Sequence, residues 1–175
     1  MQRALELHGE THFDFLALAA ADTDATTRNA LLDSLERMND RFPDNTQLVF
    51  ARALLLQQAN RNAEALALLE EHPHTDEAPP AILLHSRLVA EQDIEEATEI
   101  LYRGLESFPD DTRLRLMLAR TLVSEGNFAD ARTQYAKLAR DNPDEPDLQL
   151  SLGLIELELG QASDAVIHLQ NTLQL

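Results

Sequence analysis

The 175-residue sequence has no cysteine, no tryptophan, five glycines and only 5% aromatic residues. Without thiols there can be no disulfide framework, no thiolate metal site and no cysteine nucleophile. So few glycines and aromatics leave little from which to build a sheet or a glycine-rich phosphate loop. Basic residues are scarce too: 14 Lys and Arg stand against 31 Asp and Glu, a net charge of -17, and Lys137 is the single lysine. Polyanions meet repulsion across such a surface, so nucleic acid and an acidic membrane are poor partners. Long hydrophobic runs are also missing. Phe15 to Ala21 is among the longest, far short of the roughly 20 residues that span a bilayer. No apolar core of a signal peptide follows Arg3. Nothing in the composition chooses between cytoplasm and periplasm.

What remains is rich in helix formers. The apolar content is 44%, too high for a disordered acidic tail, so the carboxylates must surround a core. Ala, Leu, Glu, Gln and Arg all favour helix, and the length suits one domain or one short array. An all-α chain is expected.

Small residues recur at a fixed period. The series Leu31, Ala65, Ala97, Ala131 and Ala165 advances in steps of 34, 32, 34 and 34. Ala19, Ala53, His85, Ala119 and Gly153 keep the same steps, as do Leu35, Leu69, Leu101, Tyr135 and Leu169. Phe-Pro-Asp at 42–44 and 108–110 and Asn-Pro-Asp at 142–144 mark the joints. Within a unit, Thr112 to Ser124 has a helical pattern opened by Asp111 as N-cap and broken at Gly126-Asn127. A second helix runs from about Phe128 to Arg140, and Pro143 ends it. Pro146 suits a first helical turn, Gly160 a connecting turn, and a last helix starts at Ala162.

With Leu152-Gly153, Ala165, Gly126, Ala131, Tyr135 and Pro143 in these places, the chain resembles the tetratricopeptide repeat family. That resemblance implies an all-α helix-turn-helix solenoid, a right-handed superhelix of about five repeats and ten helices. The divisions are 1–11, the remnant of a preceding repeat; 12–45, a degenerate repeat; 46–77, two residues short; 78–111; 112–145; and 146–175, uncapped. Small residues let paired helices approach closely, so the units holding Leu31 and His85 are expected to pack loosely. The helix before Pro73 is expected to be short. The ends suggest a segment of a longer bacterial array, and uncapped ends carrying Leu169, Leu173 and Leu175 make self-association possible.

In this family the first helices line a concave face. The matching positions here are Phe13, Leu16 and Ala20; Gln47, Phe50, Leu54 and Gln57; Ile82, Ser86 and Val89; Arg113, Leu116, Arg120 and Val123; and Asp147, Leu150, Leu154 and Leu157. The implied function is a non-enzymatic scaffold whose largely apolar groove takes a protein or peptide with some acidic residues. Several of these side chains could instead pack between neighbouring first helices. A subgroup of the family grips a carboxylate with Lys and Asn on this face; Phe50, Leu54, Ile82, Ser86, Leu116 and Arg120 offer neither, which disfavours that mode. Similar long bacterial arrays include envelope adaptors for a protease or secretion machine, and a self-associating structural array is the other alternative.

Other chemistry is thinly represented. His72-Pro73-His74 with Asp76 and Glu77 is the one local cluster of metal-ligand types. A solvated loop is the preferred reading of it, and no metal or cofactor is expected. His85 reads as a packed histidine. No nucleophile elbow, His-Glu-x-x-His, phosphate loop or dinucleotide fingerprint occurs, so no enzyme activity is expected.

Overall fold

The computed structural model describes residues 24–173. The remnant at 1–11 and the positions Phe13, Leu16, Ala19, Ala20 and Leu175 lie outside them. The described residues form nine α-helices and no strand. They divide into two compact units, the first ending at Val89 and the second beginning at Ala90.

The first unit holds α1 (Ala25–Arg41), α2 (Thr46–Gln58), α3 (Asn62–Glu71), a 3-10 turn (Thr75–Glu77) and α4 (Pro79–Val89). Consecutive helices pack on one another, and α2 also touches α4. Leu32 and Leu35 of α1, Leu48, Val49, Ala53 and Leu56 of α2, Ala65 and Leu69 of α3, and Leu84 and Leu88 of α4 make one buried cluster. α3 has only 10 residues and stops at Glu71, as its proline predicts. Before Pro73, His72 is extended, with φ -84° and ψ 122°, the conformation that a following proline favours.

The second unit holds α5 (Ile94–Ser107), α6 (Thr112–Glu125), α7 (Phe128–Asp141), α8 (Pro146–Glu158) and α9 (Ala162–Thr172), each packed on the next. Leu101, Leu114, Leu118, Leu122, Leu138, Leu152 and Ile155 fill its interior. Ala119, Ala131 and Ala165 are 0% exposed. At Gly153, a β-carbon would stand 2.7 Å from Leu169 Cγ and 2.9 Å from its Cδ2. α8 and α9 therefore approach more closely than an alanine would allow, and Leu169 is half-buried against that glycine.

Helix ends obey the period as well. Asn45 and Asp111 hold the same place in their repeats and cap α2 and α6, accepting from the backbone of Leu48 and of Arg113 and Leu114. Asp93 and Asn127, again at one repeat position, cap α5 and α7. Each cap satisfies an N–H that the helix leaves without a partner, worth about 1 kcal/mol. Burial raises the Asp111 carboxyl, but hydrogen bonds from Arg113 and Leu114 outweigh it and hold the group below the ordinary range. The hairpin turns carry left-handed residues at one repeat position: Asn60 at φ 59°, Gly126 at φ 78° and Gly160 at φ 72°. A β-carbon there would touch nothing within 4 Å at Gly126 or Gly160, so the conformation alone asks for glycine.

Candidate functional site

The ten positions expected to form the contact surface separate by burial. In the first unit, Phe50, Ile82, Ser86 and Val89 are at most 6% exposed, and Leu54 is half-buried. Those four are packing residues, which corrects the expectation of an open apolar surface there. Phe50 belongs to the same buried cluster as Leu32 and Leu69. Ser86 turns its hydroxyl back to donate to the Leu83 carbonyl at 3.1 Å.

In the second unit the expectation fares differently. On α6, Arg113 and Arg120 are exposed and Leu116 is half-buried. Arg113 donates to Asp111 at 3.0 Å. On α8, Leu150, Leu154 and Leu157 are 39%, 52% and 48% exposed. Their spacing of four and three sets them along one helix face, opposite the side that buries Leu152, Ile155 and Glu156. Among the described side chains predicted to meet a partner, these three leucines are the exposed large apolar ones. On α9, Val166 and Ile167 are also exposed, as is Leu173 just after it, whereas Leu169 faces Gly153.

The loop at 72–77 is not uniformly solvated, a second correction. His72 is 7% exposed and its Nε2 lies 3.0 Å from Thr46 Oγ1 at the start of α2. Thr75 is buried too and donates to the Leu69 carbonyl at 2.6 Å. Burial, and then the neighbouring His74, push the His72 pKa down; Asp44 and Glu77 oppose this. His74 stands edge-on to His72, ring centroids 5.7 Å apart, and its Nδ1 lies 2.8 Å from Glu77 Oε1. Among the described residues no group of three or more His, Cys, Asp or Glu side chains could hold a metal ion.

One polar site escaped the sequence reading. Glu156 of α8 is 0% exposed, at the repeat position that the buried leucines Leu56, Leu88 and Leu122 occupy in the preceding units. Aligning the units at that position shows the exception at once. Arg132 of α7 donates through Nε to Glu156 Oε1 at 3.1 Å, and its Nη2 lies 3.7 Å from Asp164. His168 of α9 places Nε2 3.6 Å from the same Glu156 oxygen, while its Nδ1 donates to Gln149 Oε1 at 2.8 Å. That last contact has a counterpart one repeat earlier, where Arg115 Nη1 donates to Gln134 at 2.8 Å.

Paired helices with small residues at their crossing, left-handed turns and repeat-spaced caps define an all-α helix-turn-helix repeat protein. Sequence comparison supplies the family. The tetratricopeptide repeat profile matches residues 88–155. A tetratricopeptide repeat-containing protein of Pseudomonas aeruginosa is 45% identical over 120 residues, 68% of this chain and 20% of that protein. The chain belongs to the tetratricopeptide repeat family. It spans only about a fifth of the length of that curated relative. Among solved structures, MamA superposes with a TM-score of 0.74 at 15% identity, over 84% of this chain and 87% of MamA. YrrB, described as a tetratricopeptide repeat protein with an unusual peptide-binding site, gives 0.70 at 15% identity over 95% and 86%. These two likenesses describe the fold. Among the described residues no helix is long and apolar enough to cross a membrane.

Proposed function

We propose that this chain is a non-enzymatic protein-interaction scaffold whose working surface is the exposed face of α8. The observation that carries the reading is the leucine row Leu150, Leu154 and Leu157, each 39% to 52% exposed on one helix face. A partner segment that covered the open half of each would gain about 1 kcal/mol per leucine. Three together would raise affinity roughly 100-fold. The repeat relates Leu116 and Arg120 of α6 to Leu150 and Leu154 of α8, one unit on. The exposed Arg120 gives this surface a positive point on a chain of net charge -17. An apolar or amphipathic segment with an acidic residue matches it. Membership of the tetratricopeptide family, and the unusual peptide-binding site described for YrrB, support the general class.

The test is affinity capture of partner proteins from a bacterial lysate with the wild-type chain and with Leu150→Asp, Leu154→Asp and Glu95→Gln variants. Circular dichroism first establishes that each is folded. Partners should be lost with the leucine variants and kept with Glu95→Gln. Capture that survives both leucine changes and fails with Glu95→Gln would move the working surface to the acidic faces. Self-association is the second reading, favoured by Val166, Ile167 and Leu173 at 51%, 55% and 87% exposure on and just after α9. Light scattering over a concentration series reads it directly.

A further inference from the structure

Glu156 breaks the repeat where it is most costly to do so. A buried charge is retained only against a desolvation penalty, and replacing such pairs by well-packed apolar residues is often neutral or stabilising. Leu56, Leu88 and Leu122 show that leucine serves at this position in the other units. Arg132 and His168 both approach Oε1, whereas Oε2 is buried without a hydrogen-bond partner among the described residues. Beside it lies a pocket of about 260 Å3, lined by Glu156 together with Arg132, Arg140, Gln149, Leu152 and His168. That is roughly ten times or more the space one water needs. Arg140 has no ion-pair partner among the described residues.

We propose that this pocket binds the primary carboxamide of a glutamine or asparagine side chain supplied by a polypeptide partner. The charges decide the class. Arg132, Arg140 and Glu156 line the pocket, and Asp164 lies outside the lining, 3.7 Å from Arg132, so an ion of either sign meets a like charge there. A cation would meet two guanidinium groups. An anion would be brought up to a buried carboxylate and would leave Oε2 unmet. A carboxamide is uncharged and carries both functions: its N–H can donate to Glu156 Oε2, and its carbonyl can accept from Arg140. Leu152 and the alanines of α7 supply an apolar wall for the methylenes of the side chain. Arg132 is 39% exposed and is held to Glu156 by one close hydrogen bond, to the other carboxylate oxygen. This site uses different residues from the leucine row on α8 and stands independently of it.

The experiment is an amide chemical-shift titration of the labelled 175-residue chain with four capped amino acids whose caps hold no primary carboxamide: N-acetyl-glutamine N-methylamide and the corresponding alanine, lysine and glutamate compounds. The alanine compound carries the same backbone amides and isolates the side chain. The glutamine compound should shift the amides of Gln149, Leu152, Glu156 and His168, saturating with a dissociation constant on the order of 1 mM, as expected for so small a ligand. The other three should not. Glu156→Leu, which installs the residue of the other units and so keeps the fold, should weaken binding by about tenfold or more, since a hydrogen bond to a charged acceptor is lost. The exposed Arg140→Ala change should weaken it as well. A site that prefers the lysine or glutamate compound overturns the carboxamide assignment. So do absence of any shift and unchanged binding in Glu156→Leu; in the first of these cases, water alone would satisfy Oε2.

Discussion

Replacing Gly153 by alanine sets two effects of opposite sign against each other at one atom. Gly153 lies inside α8, where alanine gains about 1 kcal/mol in helix propensity. The same methyl would stand 2.7 Å from Leu169 Cγ, 2.9 Å from Cδ2 and 3.3 Å from the Ala165 carbonyl oxygen. The first two are branched side-chain atoms and the third is backbone of α9, so relief requires both a new Leu169 rotamer and a small shift of the helix. Overpacking of this kind costs about 1 to 3 kcal/mol. The net is a loss of about 1 kcal/mol, or about 2 to 4 °C in Tm for a chain of this size. Urea unfolding followed by circular dichroism measures it, provided that different probes report one transition. Leu169→Ala alone should cost about 1 to 2 kcal/mol, because the side chain is only half-buried. The double variant should cost about 1 kcal/mol less than the sum, since each change relieves the other. Gly153→Ala that is more stable than wild type by the full propensity gain, with additive behaviour in the double variant, would refute the close approach of α8 and α9.

Further outcomes can be measured on the same footing. Arg132→Ala strips the buried Glu156 of its closest partner and should destabilise by about 3 kcal/mol; Glu156→Leu in the same chain should restore most of that loss, by thermal unfolding. Gly126→Ala and Gly160→Ala should each cost about 1 kcal/mol although their methyls meet nothing, whereas Asn60→Gly should cost nothing. His72 has a lowered folded pKa, so the unfolded chain takes up its proton first. Stability should therefore fall as pH drops below about 6.5 and level off beneath the folded value, by an amount that His72→Gln abolishes in a pH series of unfolding curves.

Local signals were legible where a single residue type dictates the backbone. Asp111 capped its helix, Gly126 and Gly160 turned left-handed, and α3 ended before Pro73. The small residues marked the crossings because only they permit close packing, and Gly153 against Leu169 is an instance that leaves no room for a β-carbon. The site was less legible, for reasons of distance along the chain. Whether a first-helix position faces solvent depends on what lies over it, so Phe50 and Leu154 shared one expectation and separated into 6% and 52% exposure. His72 left solvent because Thr46, from the start of the preceding helix pair, supplies a partner. Glu156 looked like one more surface carboxylate until its position was compared with Leu56, Leu88 and Leu122.

The pairs Arg115–Gln134 and Gln149–His168 bear on how a chain of near-identical parts assembles in the right order. Each unit presents much the same apolar code, so a hairpin helix could dock on the wrong neighbour at little apolar cost, the usual hazard of repeated sequences. The polar partners differ between consecutive units although their places are the same. A shift by one unit would set the guanidinium of Arg115 against the ring of His168 and would strand Glu156 away from Arg132. The two pairs and the buried carboxylate thus act as labels that distinguish otherwise interchangeable parts, and the penalty for mislabelling falls on the wrong assembly. Making the pairs alike, by Arg115→Gln with Gln134→His, should leave the finished fold intact and enlarge the misassembled fraction after refolding, counted by size-exclusion chromatography. An unchanged yield would show that the apolar code alone keeps the order.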